Sequence, residues 1–420
     1  MSATAATTTE KVQISIAEAL GGHHNSLGFL RLVLASLVIF DHAFPLGGFG
    51  TDIFWGITRQ QASLGSIAVA GFFAISGYLI AKSGIATDVV QFLWRRILRI
   101  FPAYWTVLLL TALVIAPIIW VTAGRALSEY FTLAPNGPVN YFTANWTLNI
   151  GTYGIYDIFA NTTPYGQAVH ASVFNGSIWT LIYEFNCYLL IALAVAFGVL
   201  TRARILIPIA TAFLFAIQIV VLTAPSGLAT IAPYFADNQR IFLTFTFLVG
   251  STLAVYSRKI PFDHRLGILS GVVLVLTLRY GGFSTIGVVA GVYFVMYIAA
   301  ALPKAFQRVG AKNDYSYGVY IYGFLVQQIL AYLGVYRWGY LPFTLIALVA
   351  AYGFAWLSWH FVEKRAMALK DWGPGRGWQY WQERVRDWRL ARREQRTEAP
   401  ASYAQPPAVV SRETNTEGRS

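Results

Sequence analysis

The chain is poor in charged residues. Only 12% of its 420 residues are Asp, Glu, Lys or Arg, which is about half the proportion found in a soluble domain. This scarcity excludes an ordinary soluble protein, and the hydrophobic content of 56% with repeated long apolar runs indicates a polytopic membrane protein. The chain also contains a single cysteine, Cys187, so no internal disulfide can form.

Several catalytic signatures are missing as well. The sequence has no GKS/T phosphate-binding loop, no HExxH zinc motif and no GxSxG serine elbow. We therefore predict no metal site, no tightly bound cofactor and no covalent serine catalysis. The first 26 residues lack a charged segment followed by an apolar core, so no cleavable signal peptide is predicted.

The net charge of +12 would suit a nucleic-acid-binding protein, but its distribution does not. The basic residues cluster in short loops between apolar runs and in the tail after Phe361, which is the positive-inside pattern of membrane proteins. We therefore predict no nucleic-acid partner. The basic loops alternate with loops of low charge along the chain, so both termini are predicted to be cytoplasmic.

Ten apolar segments have about the length of a membrane span, and they predict an all-α polytopic bundle of about ten transmembrane helices. They are 27–46, 65–82, 100–121, 178–200, 203–223, 239–257, 265–280, 284–302, 316–335 and 341–361. We predict a cytoplasmic N-terminal tail (1–26), a membrane domain (27–365) with a long outer loop (122–177), and a basic, largely disordered cytoplasmic tail (366–420).

Two ionisable residues lie in the first apolar segment, Arg31 near its inner end and His42 near its outer end. Eleven residues are about three helical turns, or about 16 Å, so both side chains share one face. Ionisable groups within a membrane are costly and indicate function, and histidine is the commonest general base. Taken alone, His42 would be a helix-end histidine at the outer interface, and Arg31 would be an interfacial anchor that extends to the lipid headgroups.

A cluster of arginines precedes the third apolar segment. Arg96 and Arg99 share a helical face at i, i+3, and their guanidinium groups would form a phosphate-binding site if they converged with Arg31. The competing interpretation is that each is an interfacial anchor.

Glu184 is the acidic residue within the fourth segment, and an unpaired carboxylate there is costly. It either hydrogen-bonds a neighbouring helix or joins His42 in the outer half of the bundle. Ser76 lies among small and aromatic residues, GFFAISGYLI at 71–80, which either pack helices closely or contact a molecule that threads the bundle.

These residues resemble the acyltransferase 3 family of membrane acyltransferases over roughly 26–365. The likeness depends on the ordered combination of five elements. They are Arg31 followed by His42, the 71–80 segment, Arg96-Ile-Leu-Arg99 before Phe101-Pro102, Ser177 to Glu184 (SIWTLIYE), and Tyr315-Ser-Tyr-Gly-Val-Tyr320 with Phe361-Val-Glu-Lys364.

The resemblance implies transfer of an acyl group, often acetyl, from cytoplasmic acyl-CoA to a hydroxyl of an extracytoplasmic glycan, in the bacterial inner membrane. His42 would deprotonate the acceptor and Glu184 would support the site. Arg31, Arg96, Arg99 and Ser76 would bind acyl-CoA. Aromatic residues of the outer loop would then stack on sugars or belong to the interfacial belt; they are Tyr130, Tyr141, Trp146, Tyr153, Tyr156 and Tyr165.

The sequence departs from the family at one place. Many members carry a histidine shortly after the SYxxY motif, where this chain has Tyr322-Gly323, so His42 is the sole candidate base. Two rival functions stay open on residues alone. A transporter or flippase would use Arg31, His42 and Glu184 as a proton or substrate pathway. The other rival is a purely structural membrane partner of a polysaccharide-synthesising machine, a role that does not explain the clustered charges.

Overall fold

Ten long helices form the body of the protein. The computed structural model describes residues 14–22, 25–132 and 135–397. The long helices are α1 (Leu27–Gly47), α2 (Leu64–Ala86), α3 (Val89–Thr122), α4 (Ser177–Ala196), α5 (Leu206–Thr223), α6 (Asn238–Tyr256), α7 (His264–Tyr280), α8 (Phe283–Ala301), α9 (Ser316–Tyr332) and α10 (Tyr340–Ala368). The described residues contain no β-strand, only an isolated bridge between Ser15 and Pro261.

Shorter elements connect these helices. A last long helix, α11 (Trp378–Thr397), follows the bundle. The short α-helices are Ile16–Ala19, Ile53–Ile57, Leu127–Thr132, Pro138–Asn145, Pro164–Val169, Val199–Arg202, Pro225–Ile231 and Lys304–Gln307, and the short 3-10 turns are Pro233–Ala236, Val335–Trp338 and Gly373–Arg376.

The predicted all-α polytopic membrane fold is confirmed. Each of the ten apolar segments coincides with a long helix, and eight of the helices in the described part are long and apolar enough to cross a membrane. The other two, α7 and α9, have 17 residues each, slightly fewer than the roughly 20 that a span perpendicular to the bilayer needs.

Helix α3 begins eleven residues earlier than predicted, so the arginine cluster lies within a helix and not in a loop. The carboxylate of Asp88 caps its first turn, with Oδ1 accepting from the backbone N–H groups of Val90 at 2.9 Å and Gln91 at 3.0 Å. Pro102, near the predicted start of the segment at residue 100, lies inside the helix. The helix therefore starts at the residue that follows the N-capping Asp88, and not at the proline.

Small residues allow α2 and α6 to pack with their backbones in contact. A Cβ added to Gly77 would lie 2.0 Å from the carbonyl oxygen of Phe247, and one added to Gly250 would lie 2.3 Å from that of Ala74. The hydroxyl of Ser251 donates to the Gly77 carbonyl at 3.1 Å. The small residues of the 71–80 segment therefore pack helices closely, and Ser76 on the same helix is free to face another neighbour.

The segment between α3 and α4, predicted to be an outer loop, is folded in its described part. Tyr130 and Tyr141 are fully buried, and the Tyr130 hydroxyl donates to the Ala112 carbonyl at 2.6 Å. These two rings pack the segment onto α3 and cannot stack on a ligand. Trp146 and Tyr153 are exposed, so they remain candidates for stacking.

The prediction of a largely disordered tail from 366 onward is wrong up to residue 397. The segment folds back on α3: Trp94 Nε1 donates to the Leu369 carbonyl at 2.9 Å, and Arg95 pairs with Asp371 at 2.8 Å. Side-chain contacts with a preceding helix, which local composition does not reveal, hold it in place. Residues 398–420 lie outside the described residues.

Candidate functional site

Two arginines that sequence analysis singled out meet on one carboxylate. Arg31 Nη1 lies 2.5 Å from Asp314 Oδ2, and Arg99 Nη2 lies 2.7 Å from the same oxygen. The second amino group of Arg99 donates to Glu363 at 3.1 Å. Arg31 comes from α1, Arg99 from α3, Asp314 from the turn before α9 and Glu363 from α10, so this ion cluster joins four elements. Two positive and two negative charges balance within it.

Asp314 is held ionised at the centre of the ion cluster. Burial alone would raise the pKa of this carboxyl, but the guanidinium groups of Arg31 and Arg99 outweigh it. The two arginines act together with hydrogen bonds from the hydroxyl of Ser316, at 2.5 Å, and from its backbone N–H. These interactions lower the pKa of Asp314 to about 2. Asp314 is therefore charged at neutral pH, and any anion that binds either arginine must compete with it.

A narrow cavity opens inward from the ion cluster. Helix α9 contributes three of its lining residues, Ser316, Tyr317 and Tyr320, and both arginines and Glu184 line it too. The full lining is Arg31, Val69, Phe72, Phe73, Arg99, Ile100, Thr180, Leu181, Glu184, Tyr188, Ser316, Tyr317 and Tyr320. Its walls are mainly apolar and aromatic, with the charged groups gathered at defined points, as is typical of a ligand site.

Two grooves adjoin the cavity on the side of the bundle that carries the 303–315 segment, and each shares one lining residue with it. One groove is lined by Gly28, Arg308, Lys312, Asp314 and Ser316 among others, and a neighbouring groove by Arg31 and Asp314. Because Arg31 and Ser316 line both a groove and the cavity, the ion cluster stands at the boundary between them.

Of the two alternatives for Glu184, the structure shows the hydrogen bond to a neighbouring helix, and Glu184 faces the cavity and does not lie beside His42. Its Oε1 accepts from the Ser76 hydroxyl at 3.2 Å and from the Tyr188 hydroxyl. The sequence placed Glu184 at the right depth in α4 but could not give the rotation of that helix about its axis. Ser76 and Glu184 are thus brought together, while His42 lies elsewhere.

Arg96 does not join Arg31 and Arg99. Its guanidinium lies 5.8 Å from the ring centroids of both Phe92 and Tyr188, and its buried Nε has no hydrogen-bond partner among the described residues. The i, i+3 relation with Arg99 is present, but the two side chains diverge. Arg96 approaches the site at the ring of Tyr188, whose hydroxyl donates to Glu184.

His42 lies near the C-terminal end of α1, against α4 and α9. Its Nδ1 is 3.4 Å from the Ser177 hydroxyl, and its ring meets Phe324 edge-on with centroids 5.3 Å apart. In the tautomer where Nδ1–H donates to Ser177, Nε2 is the nitrogen that accepts a proton. Asp41 packs against Gly65 of α2, where an added Cβ would lie 2.4 Å from its carboxylate, and therefore does not orient His42.

A buried polar chain links the surroundings of His42 to the cavity. The hydroxyl of Tyr320, a cavity residue, donates to the Ser177 carbonyl at 2.8 Å and lies 2.5 Å from the Thr180 hydroxyl. Asn175 fixes this turn by donating to the Ile321 carbonyl at 2.7 Å. Ser177 thus contacts His42 with its side chain and the cavity residue Tyr320 with its backbone.

Four functional residues were not predicted: Asp314 and Glu363, the partners of the arginines, and Ser177 and Tyr320, which lie next to the predicted base. Ser177, Tyr320 and Glu363 stand in the motifs that carry the family resemblance, which was the available signal for them. Asp314 immediately precedes one of those motifs and follows a basic stretch. The presence of a single acidic residue directly after this basic stretch was the only indication in the sequence that Asp314 neutralises arginines from other helices.

Comparison with known proteins points to one family. Residues 24–360 match the acyltransferase 3 family, which is described as an acyltransferase domain. A protein of Shigella phage Sf6 named O-acetyl transferase is 30% identical over 360 residues, which cover 81% of this chain and 95% of the relative. Nodulation protein 10 of Rhizobium leguminosarum bv. viciae is 28% identical over 380 residues, which cover 83% and 95%. No solved structure gives a significant match.

Proposed function

This chain belongs to the acyltransferase 3 family and is a membrane enzyme of the O-acetyltransferase type, and on that premise we propose that it moves an acetyl group from cytoplasmic acetyl-CoA to a hydroxyl of an extracytoplasmic glycan. The observation that carries the proposal is the position of α9. This helix lines the cavity beside the arginines at Ser316 and contacts His42 through Phe324. Eight residues separate the two, or about 12 Å along the helix.

The donor enters from the grooves beside the 303–315 segment. Arg308 and Lys312 line the first groove, and Arg31 and Arg99 line the cavity. The phosphates of acetyl-CoA bind these cations by displacing the Asp314 carboxylate from one or both arginines. The acyl arm then extends along the aromatic walls of the cavity toward His42.

The chemical step needs one base at the far end of that arm. His42 takes the proton of the acceptor hydroxyl, and the resulting oxygen attacks the thioester carbonyl. The new C–O bond replaces the C–S bond, and the thiolate of CoA leaves and takes up a proton. Ser177 orients the imidazole, while Glu184, held by Ser76 and Tyr188, supports the cavity through which the donor arm passes.

The glycan approaches from the opposite face. Trp146 and Tyr153 are exposed on the folded outer segment and offer flat apolar surfaces to sugar rings. The charge pattern of the loops supports an orientation with this segment outside and both termini in the cytoplasm. The protein then lies in a bacterial inner membrane and takes donor and acceptor from its two sides.

Release of free CoA by the purified protein tests this function. With acetyl-CoA and a surface glycan in lipid nanodiscs, we expect free CoA and an acetylated glycan to accumulate in equal amounts, and neither to form without the glycan. A transporter or flippase would move solute without releasing CoA. Glycan-dependent release with no acetyl group on the glycan would also contradict the proposal.

Donor binding distinguishes Arg31 from Arg96. Arg31→Gln should weaken acetyl-CoA binding by about 10- to 100-fold, the value of a charge-assisted hydrogen bond, while Asp314 stays paired with Arg99 and the fold is kept. Arg96→Gln, its matched control on α3, should change binding much less because Arg96 contacts aromatic rings. Calorimetric titration of acetyl-CoA into each variant measures this. Equal affinities for wild type and Arg31→Gln would refute the phosphate role of Arg31.

A further inference from the structure

The terminal helix α11 carries an uncovered aromatic stripe. Trp378, Trp381, Val385 and Trp388 follow one another at intervals of three and four residues and share one face. Trp378 is 55% exposed, Val385 45% and Trp388 56%. Large apolar side chains aligned on one face indicate a surface that is covered by something.

The charges of α11 are sorted around this stripe. Residues 378–393 contain five arginines and two acids. Arg389 follows Trp388 directly, and Arg392 lies over its ring with 4.4 Å between its guanidinium carbon and the ring centroid. Glu383 and Asp387, at i, i+4, occupy the opposite face. Cations border the aromatic face and the acids point away from it, which fits a surface that is apolar and negatively charged.

The start of α11 is fixed next to the end of a membrane helix. The backbone N–H of Trp378 donates to Asp88 at 2.8 Å, and Asp88 comes two residues after the end of α2. Gln91 on α3 donates to the Gly375 carbonyl at 2.9 Å. The helix therefore begins at the membrane boundary, on the side that carries the basic loops.

We infer that α11 is a membrane-surface helix, whose Trp378–Trp388 stripe inserts among the anionic lipid headgroups of the leaflet on that side while its arginines pair with lipid phosphates. Tryptophan prefers the boundary between headgroups and acyl chains, and arginines beside an apolar face add attraction to anionic lipid. A protein partner would give no reason for arginines on both edges of the stripe and acids opposite it. This role is separate from acyl transfer.

The test uses the full chain in nanodiscs. Cys187 is the sole cysteine and is buried, so a cysteine introduced at Val385→Cys takes an environment-sensitive fluorophore selectively. In discs containing phosphatidylglycerol we expect a blue-shifted emission that lipid-attached quenchers suppress. In phosphatidylcholine discs the shift should be much smaller. The matched control, Glu383→Cys on the opposite face, should stay solvent-like in both.

Charge removal completes the test. Arg389→Gln with Arg392→Gln should lower the ratio of inserted to solvated label by about fivefold for each arginine, whereas Arg202→Gln with Arg204→Gln, in another basic loop, should leave it unchanged. Emission at Val385→Cys that is solvent-like in both lipids would overturn the inference. A blue shift that is equal in both lipids and insensitive to lipid-attached quenchers would overturn it too, because it would mean that protein covers the stripe.

Discussion

His42→Ala is expected to reduce acetyl transfer by about 10²- to 10⁴-fold, the contribution of a general base, with the amount of protein in the membrane unchanged. Among the described histidines His42 is the one that contacts Ser177 and Phe324, whereas His170 and His264 are exposed and His360 contacts the Trp356 carbonyl. At the position where many family members carry a second histidine, Tyr322 is buried and stacks on Phe354. Transfer is measured as acetylated glycan by mass spectrometry.

The control for this variant is His264→Ala. His264 is exposed at the start of α7 and contacts Tyr297, so its loss should leave the rate of transfer unchanged. If His42→Ala kept full activity, the assignment of His42 as the base would be discarded. Loss of activity together with loss of protein from the membrane would point to a role of His42 in packing against Phe324.

Arg99→Met is expected to lower the free energy of unfolding by about 3–5 kcal/mol, because it leaves a buried charge without a partner. Glu363 is only 2% exposed, and its bond to Arg99 is the ion pair that neutralises it. Asp314 would keep Arg31. We expect a marked fall in thermal stability in detergent and in abundance, beyond any effect on donor binding.

Two further variants separate the structural role of Arg99 from a binding role. Arg95→Met removes an arginine one turn away that pairs with Asp371, which is 62% exposed, and should cost less than about 1 kcal/mol. Arg99→Met combined with Glu363→Gln should recover much of the lost stability, since Ser358 still hydrogen-bonds the amide oxygen. If Arg99→Met were as stable as Arg95→Met, the ion cluster would not hold the helices together.

The position of each membrane helix could be predicted because hydropathy is a local property. All ten apolar segments coincide with long helices, and the spacing of Arg31 and His42 correctly predicted that both face the same way. Arg31 reaches the cavity beside Ser316, and His42 contacts Phe324, so both face α9. The fixed geometry of an α-helix is sufficient for this inference.

The site itself was only partly predictable. Four of the predicted site residues meet at one cavity or its wall in the structure: Arg31, Arg99, Glu184 and Ser76. Arg96 was also predicted to join them, but its guanidinium lies against the rings of Phe92 and Tyr188, and of the two alternatives for Glu184 the place beside His42 is not the one observed. Both differences concern the direction in which a side chain leaves its helix. That direction depends on how the helix is rotated against its neighbours.

The sequence by itself therefore determined the class of protein, the positions of the helices, and the placement of Arg31 and His42 on one face of α1. Each of these depends on residues within about 20 positions of one another. Only the tertiary structure decided which charges meet. Arg31 and Asp314 are 283 residues apart, and Arg99 and Asp314 are 215. Whether such groups touch is set by the packing of four separate elements, because a buried charge is stable only where another helix supplies its partner.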